Sequence, residues 1–200
     1  MGLYKAVDFL VEYYRQPAPP GNVDPVPPLG PDPLEARMTL RTMSSRVSAA
    51  RLSVERGLIG RLRQSWLQRM VETPRPLQEK LALFWHGHFA AQNNVVDNSY
   101  IMFRQNQLFR EHAAGNFGAL LYGIVHDPAM IRYLDNNKNV KGDPNENLAR
   151  EILELFAMGL DQGYTEKDII EAARALTGYT YDHQTGGFRF DYAKHDTGMK

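Results

Sequence analysis

Two glutamates three positions apart are the residues of this chain best suited to acid–base chemistry. Glu151 and Glu154 fall on the polar side of a predicted helix over 144–158, close enough to share a cation or act as a paired acid and base. Intrahelical pairing is the alternative, because Arg150 lies four residues from both Glu146 and Glu154. The candidate catalytic residues are Glu151, Glu154, His86 and His195.

Asparagines crowd the segment that precedes this helix. Ten of the eleven asparagines lie between Asn93 and Asn147. Amides at this density either cap helix ends and loops or build a polar network with many donors and acceptors. We expect a structural network, with a ligand site as the alternative. The candidate binding residues are Arg104, Asn106, Asp135, Asn139, Asn145, Glu146 and Arg150.

Oxygen-bearing side chains in the same region also follow the ligand spacing of a helix-flanked calcium loop. Counted from Asp135, they occupy places 1, 3, 5, 9 and 12. Val140 replaces the glycine required at place 6, Pro144 stiffens the loop and two lysines oppose a cation. These departures favour a loop without metal, and no cofactor is clearly implied. The metal-ligand candidates, if a cation binds, are Asp135, Asn137, Asn139, Asp143, Glu146, Glu151 and Glu154.

The histidines do not form a simple metal or nucleophile motif. His86 and His88 are two positions apart, about 200° around a helix, so they cannot chelate one ion together. We expect His88 to be a hydrogen-bonded core histidine and His86 to point toward Glu79. His195 precedes an aspartate that could orient it as a general base, but no Gly-x-Ser-x-Gly elbow supplies a nucleophile.

Composition excludes several classes of protein. The chain has no cysteine, which rules out thiol nucleophiles, disulfides and iron–sulfur clusters. Its 23 basic and 23 acidic residues balance, so no global charge attracts nucleic acid or a membrane. No apolar stretch approaches the roughly 18 residues that a membrane span requires. We expect a soluble chain, and we find no signal peptide in these residues, which leaves the compartment open.

The periodicity predicts a mainly α fold: an irregular multi-helix domain with a small C-terminal β-hairpin. Residues 1–16 form a predicted amphipathic helix, and residues 17–33 hold eight of the twelve prolines and are expected to be an extended linker. Residues 34–200 form the predicted helical domain. Because a lone hairpin is marginally stable, we expect the domain to be truncated at its C-terminus.

The ends of several helices are marked by capping residues. A helix from Pro33 to Arg56 should end at Gly57 and Gly60, and helices should begin after Asp127, Asp143 and Thr165. One core is expected to contain Trp66, Leu81, Phe84, Phe117, Leu121, Ile152, Leu155 and Phe156. At least two of Glu146, Arg150, Glu151 and Glu154 are expected to be largely buried.

Residues 34–70 carry eight arginines against Glu35 and Glu55. This excess suits an acidic protein partner, although a solvated helix face balanced by acids elsewhere explains it too. The sequence contains no specific nucleic-acid signal.

The stretch from Trp66 to Lys200 resembles a bacterial family catalogued as domain of unknown function 1800. The resemblance is carried by WLQRMVETPRPLQEKLALFWHGHF, RQNQLFREHAAGNF, DPAMIRYLDNNKNVKGDPNENLAREILELFAMG, YTEKDIIEAARALTGY and HDTGMK. It implies a longer protein, often with an export signal, and it brings no accepted activity. We therefore expect a structural or interaction domain with a buried Asn/Glu/Arg network. The alternative is a metal-assisted hydrolase or carbohydrate-active protein that uses Glu151, Glu154 and a histidine.

Overall fold

The computed structural model describes the backbone of residues 48–200 and the side chains of residues 54–200. The predictions for residues 1–16, 17–33 and 34–47 lie outside these described residues. The described chain divides into two compact units. The first unit contains residues 48–87 and 106–120, and the second contains residues 88–105 and 121–200.

Helices account for most of the described chain, which confirms the predicted mainly α class. Among the described residues none of the helices is both long and apolar enough to cross a membrane. The α-helices are α1 (Ser48–Glu72), α2 (Pro76–His88), α3 (Asn93–Val96), α4 (Ser99–Glu111), α5 (Phe117–Val125), α6 (Pro128–Tyr133), α7 (Asn147–Glu151) and α8 (Glu166–Ala175).

The predicted hairpin is also confirmed. Strand β1 (Tyr179–Tyr181) pairs antiparallel with β2 (Phe188–Phe190), and Thr180 lies opposite Arg189. Gly178 has φ +80°, and a Cβ there would lie 2.5 Å from the carbonyl oxygen of Asp191. Only glycine fits this close approach in a left-handed conformation, so the residue before β1 sets the path of the hairpin.

Helix α1 continues through the two glycines that were expected to end it. Gly57 and Gly60 are both helical, and no atom lies within 4 Å of a Cβ built at either one. A glycine inside a helix costs about 1 kcal/mol relative to alanine, an amount that packing can offset. The packed face of α1 includes the buried Leu58, which lies between the two glycines. The predicted stop was therefore wrong.

Each unit has its own buried apolar residues. In the first unit, fully or nearly fully buried side chains include those of Leu58, Ala82, Phe109, Ala113 and Leu120. In the second unit, Ala149 and Ile169 join α7 to α8, with Leu153, Tyr164 and Leu176 packed against them. The second unit also buries Phe89, Val96, Ile101, Ile124, Met130, Ile131, Leu148 and Phe156.

The helix predicted over 144–158 begins later and changes its winding. It starts at Asn147, while Asp143 lies in a tight turn opposite Val140, so Asp143 is not the helix cap. Residues Ile152–Ala157 form a π-helix, in which each turn contains more residues than in an α-helix. The N–H groups of Met158 and Gly159 both donate to the carbonyl of Leu153, at 3.2 and 3.1 Å.

The wider turn explains one of the errors in the predicted core. Phe156 is buried as expected, but Leu155 is 57% exposed because the π-helix rotates it away from the α-helical face. Phe84 and Phe117 are also exposed, so their assignment to the core was wrong. They pack edge-on or tilted against Trp85, which leaves much of each ring at the surface.

Two of the predicted helix starts are confirmed. The carboxylate of Asp127 accepts a 2.9 Å bond from the N–H of Met130 at the start of α6. Thr165 and Asp168 form a reciprocal capping box at the start of α8. Residues 73–75 separate α1 from α2, which begins at Pro76.

Replacing Phe156 with alanine should lower the free energy of unfolding by about 3–5 kcal/mol, because a buried ring is lost and a cavity remains. The matched control is Leu155→Ala at the neighbouring exposed position, which should cost less than about 1 kcal/mol. Urea unfolding followed by circular dichroism measures both. Equal losses for the two variants would contradict the assignment of these faces.

Candidate functional site

Two buried asparagines form the centre of the polar network in the second unit. The side-chain amide of Asn136 donates to the carbonyl oxygens of Leu176 and Tyr179, both at 3.2 Å. The amide of Asn139 donates to the carbonyl of Ala173 at 2.9 Å and to the side-chain oxygen of Asn136 at 3.1 Å. Both asparagines are at most 1% exposed. These amides therefore satisfy the carbonyls at the end of α8 and at the start of β1.

The other polar atoms of Asn139 fasten the loop before α7. Its side-chain oxygen accepts the N–H of Asn145 at 2.9 Å, and its carbonyl accepts the N–H of Gly178 at 3.0 Å. A backbone N–H needs an acceptor when it is withdrawn from water, and the side-chain oxygen of Asn139 provides one for Asn145. Asn139 and Asn145, which the sequence placed among candidate binding residues, lie together and are bonded to each other.

The remaining members of the predicted calcium loop have separate environments. Asp135 has a left-handed backbone with φ +58° and forms an exposed ion pair with Lys138 at 2.8 Å. Asn137 has a buried side-chain oxygen with no hydrogen-bond partner among the described residues. Asp143 is exposed in the turn opposite Val140. Among the side chains of residues 54–200, no group of three or more His, Asp or Glu is arranged to hold a metal ion.

Arg150 gathers three carboxylates on the outside of α7. Its guanidinium donates to Glu146 and Glu154 at 2.9 Å each, and to both oxygens of Glu166 on α8 at 3.1 and 2.8 Å. The carboxylates raise the pKa of Arg150 above its ordinary value, and the guanidinium in turn lowers the pKa of Glu166. The predicted intrahelical pairs therefore exist, and α8 supplies a third acid.

The expected burial of this cluster was wrong. The side chains of Arg150 and Glu146 are 35% and 37% exposed, and that of Glu154 is 21% exposed. Surface ion pairs of this kind contribute at most about 1 kcal/mol each. Glu151 stands apart from Arg150, and partial burial, reinforced by the nearby charge of Glu154, raises its pKa. Glu154, by contrast, accepts a hydrogen bond from Arg150, so the two predicted catalytic glutamates lie in different surroundings.

The histidines of the WHGHF segment have different partners. Nε2 of His88 lies 3.1 Å from the carbonyl oxygen of Phe156, and since a carbonyl only accepts, this nitrogen carries the proton. His88 is thus the hydrogen-bonded histidine that was expected. His86 packs edge-on against Trp66 and Phe109, and its Nδ1 is buried without a partner among the described residues. Burial lowers the pKa of His86 and favours the neutral ring.

The C-terminal histidine is oriented by the backbone. Nδ1 of His195 lies 2.8 Å from the carbonyl oxygen of Thr177, so Nδ1 is the protonated nitrogen. Asp196 instead accepts two bonds from Arg174, which lower the pKa of Asp196 to about 2. The carboxylate next to His195 in sequence is therefore not the group that orients its ring.

A buried ion pair in the first unit was missed. Arg110 donates through Nε and Nη2 to the carboxylate of Glu79, the latter at 3.0 Å, and both residues are more than 90% buried. Trp66 donates to the same carboxylate at 2.8 Å, and Asn106 accepts from Arg110 at 2.8 Å. This is a buried Asn/Glu/Arg network of the predicted kind. Among the predicted binding residues, only Asn106 belongs to this network. Arg104, two residues earlier in the chain, is exposed.

Sequence reasoning identified Asp127 as a cap but missed its burial. The carboxylate accepts the side-chain amide of Gln105 at 2.7 Å in addition to the N–H of Met130. Asp127 is 4% exposed, and burial raises its pKa from an ordinary value of 3.8 to about 7. The side-chain oxygen of Gln105 is buried without a partner among the described residues. No spacing pattern in the sequence predicts the pairing of Gln105 with Asp127, because the two residues are 22 positions apart and belong to different helices.

The chain belongs to the family described as "Protein of unknown function (DUF1800)", whose family model matches residues 7–200. The match confirms the resemblance and extends it toward the N-terminus. Comparisons with curated proteins and with solved structures found no match.

Replacing Asn139 with alanine should lower the free energy of unfolding by roughly 2–4 kcal/mol, because it leaves a buried carbonyl and a backbone N–H without partners. The control is Asn147→Ala, at an exposed position, which should change stability by less than about 0.5 kcal/mol. Chemical unfolding measures both values. If the two variants are equally stable, the asparagine network does not support the second unit.

Replacing Asp127 with asparagine should flatten the dependence of stability on pH. Because the folded carboxyl has the higher pKa, its contribution is fully present below about pH 4 and is lost as the pH rises through 7. An asparagine cannot ionise, so the difference in unfolding free energy between variant and native chain should shift in favour of the variant by on the order of 2–4 kcal/mol from pH 4 to pH 8. Asp143→Asn, at an exposed position, is the control. An unchanged difference across this range would contradict the raised pKa.

Proposed function

We propose that this chain is a non-catalytic interaction domain, in which buried amides and ion pairs fix the positions of loops and helices for a protein partner. The observation that supports this proposal is the use of Asn136 and Asn139. Their side chains make five hydrogen bonds to the backbone and to each other. Groups that are bonded in this way define shape, because binding a ligand would require breaking buried bonds.

The outer side of α7 and the π-helix has the composition of an interaction surface. Leu155 and Met158 are 57% and 48% exposed, and Leu160 is 61% exposed. The carboxylates of Glu151 and Glu154 lie four residues before Leu155 and Met158, on the same side of the helix. Apolar side chains rimmed by charge, held on a rigid helix, are typical of protein contacts.

One observation favours a metal-assisted hydrolase or carbohydrate-active protein as the second candidate. Glu151 has a raised pKa, whereas the neighbouring Glu154 accepts a charged hydrogen bond from Arg150. Paired carboxylates in unlike environments are a pattern of acid–base sites. In this candidate function, Glu151 and Glu154 would act together with His88, which contacts the π-helix through Phe156.

Metal binding to the full chain separates the two candidates. After dialysis against calcium or zinc, an interaction domain should retain less than about 0.1 equivalent of metal and show no shift in its melting temperature. In the same samples, Asn139→Ala should accelerate amide exchange in residues 173–191, because the network that fixes them is broken.

Two results would contradict the proposed interaction domain. One retained equivalent that is lost in Glu151→Gln, but kept in the exposed control Glu111→Gln, would overturn the proposal in favour of the metal-assisted enzyme. Unchanged exchange in Asn139→Ala would remove its structural basis.

A further inference from the structure

Helix α1 in the first unit presents a continuous exposed stripe with basic and apolar parts. Arg56, Gly60, Arg63, Leu67 and Val71 are all exposed. At about 100° per residue they fall within a sector of roughly 80° on one side of the helix. The opposite side contains the buried Glu55 and Leu58. We call these five exposed residues the basic face.

The apolar side chains of the basic face are largely exposed to solvent. Leu67 is 63% exposed and Val71 is 85% exposed. The positive charges precede the apolar side chains in chain order, so charge occupies the N-terminal half and hydrocarbon the C-terminal half.

The outer side of α7 and the π-helix in the second unit has the same order with the opposite charge. Glu151 and Glu154 come first, and Leu155 and Met158 follow. Glu146, Glu154 and Glu166 are paired with the guanidinium of Arg150, and Glu151 stands apart from it as a further carboxylate. We call Glu151, Glu154, Leu155 and Met158 the acidic face.

The two faces carry opposite charges and both contain exposed apolar side chains. On each face the charged residues precede the apolar residues in the chain. Two helices that run parallel would place Arg63 beside the glutamates and Leu67 beside Leu155 and Met158, because about 6 Å separates Arg63 from Leu67 along α1. Arg56 and Val71 would extend beyond the two ends of the acidic face. The ion pairs would set register and orientation, and the apolar ends would supply most of the binding free energy. The guanidinium of Arg150 does not prevent this pairing, because Glu146, Glu154 and Glu166 already neutralise it.

We infer that the basic face of one copy of this chain docks on the acidic face of a second copy. This inference rests on the proposed function as an interaction domain and names its partner. Reciprocal docking would form both contacts in a twofold dimer, whereas one-sided docking would form an open chain of copies.

A charge-swap experiment tests this inference. Analytical ultracentrifugation of the native chain from about 5 to 500 µM should show concentration-dependent association. Raising the salt from about 0.05 to 0.5 M should weaken it at least about tenfold, because exposed charge pairs are screened. Association should be lost in Arg56→Glu/Arg63→Glu and in Glu151→Lys/Glu154→Lys, and it should return when these two variants are mixed. The control variant Lys80→Glu changes an exposed charge on α2 and should associate normally.

Circular dichroism confirms that each variant is folded before its association is interpreted. A native chain that stays monomeric throughout, or a mixture of the two variants that does not associate, overturns the inference. Every sample is also assayed with EDTA. Association that requires a divalent cation would count against the metal-free interaction domain itself, whereas monomeric protein that binds no metal leaves that domain in place and removes only the second copy as its partner.

Discussion

The buried side chain of Asn139 connects three parts of the second unit. Its amide reaches the end of α8 and the side chain of Asn136, and its oxygen holds the backbone of the loop before α7. Because Asn136 extends the same network to Tyr179, the start of the hairpin depends on it as well. A two-stranded hairpin is only marginally stable by itself. Strands β1 and β2 therefore depend on these hydrogen bonds and on Gly178, whose N–H donates to the carbonyl of Asn139.

The ion pairs of Arg110 and Arg150 differ in energy because they differ in burial. Arg110 and Glu79 are both buried, so the loss of either one would leave an unpaired charge in a site of low dielectric constant, a cost of about 3–5 kcal/mol. Arg150 is partly exposed, and water screens its pairs with glutamates. The pair of Arg110 and Glu79 therefore tolerates the loss of neither partner. The cluster around Arg150 leaves its carboxylates partly accessible to a protein partner.

The sequence predicts those features that depend on near neighbours. The capping box at Thr165, the cap at Asp127 and the hairpin alternation follow from contacts within a few residues, and all three are present. Features that depend on distant partners could not be predicted. Nothing in the spacing places Glu79 beside Arg110, 31 residues away, or Gln105 beside Asp127. Gly57 and Gly60 gave a false end to α1 because a glycine inside a helix costs only about 1 kcal/mol, which contacts elsewhere along the helix can offset.

The π-helix links these errors to the chemistry of the surface. An α-helix over the same residues would keep Leu155 beside Leu148, Ile152 and Phe156, on the buried side. The wider winding leaves Phe156 in the core but turns Leu155 outward, next to Glu151 and Glu154. His88 donates to the carbonyl of Phe156 within this segment, and such an extra bond supports a winding that leaves some carbonyls without their usual partners. An apolar side chain is thereby exposed among carboxylates by the backbone itself, and a helix face of that composition is more favourable when a complementary helix covers it than when water does.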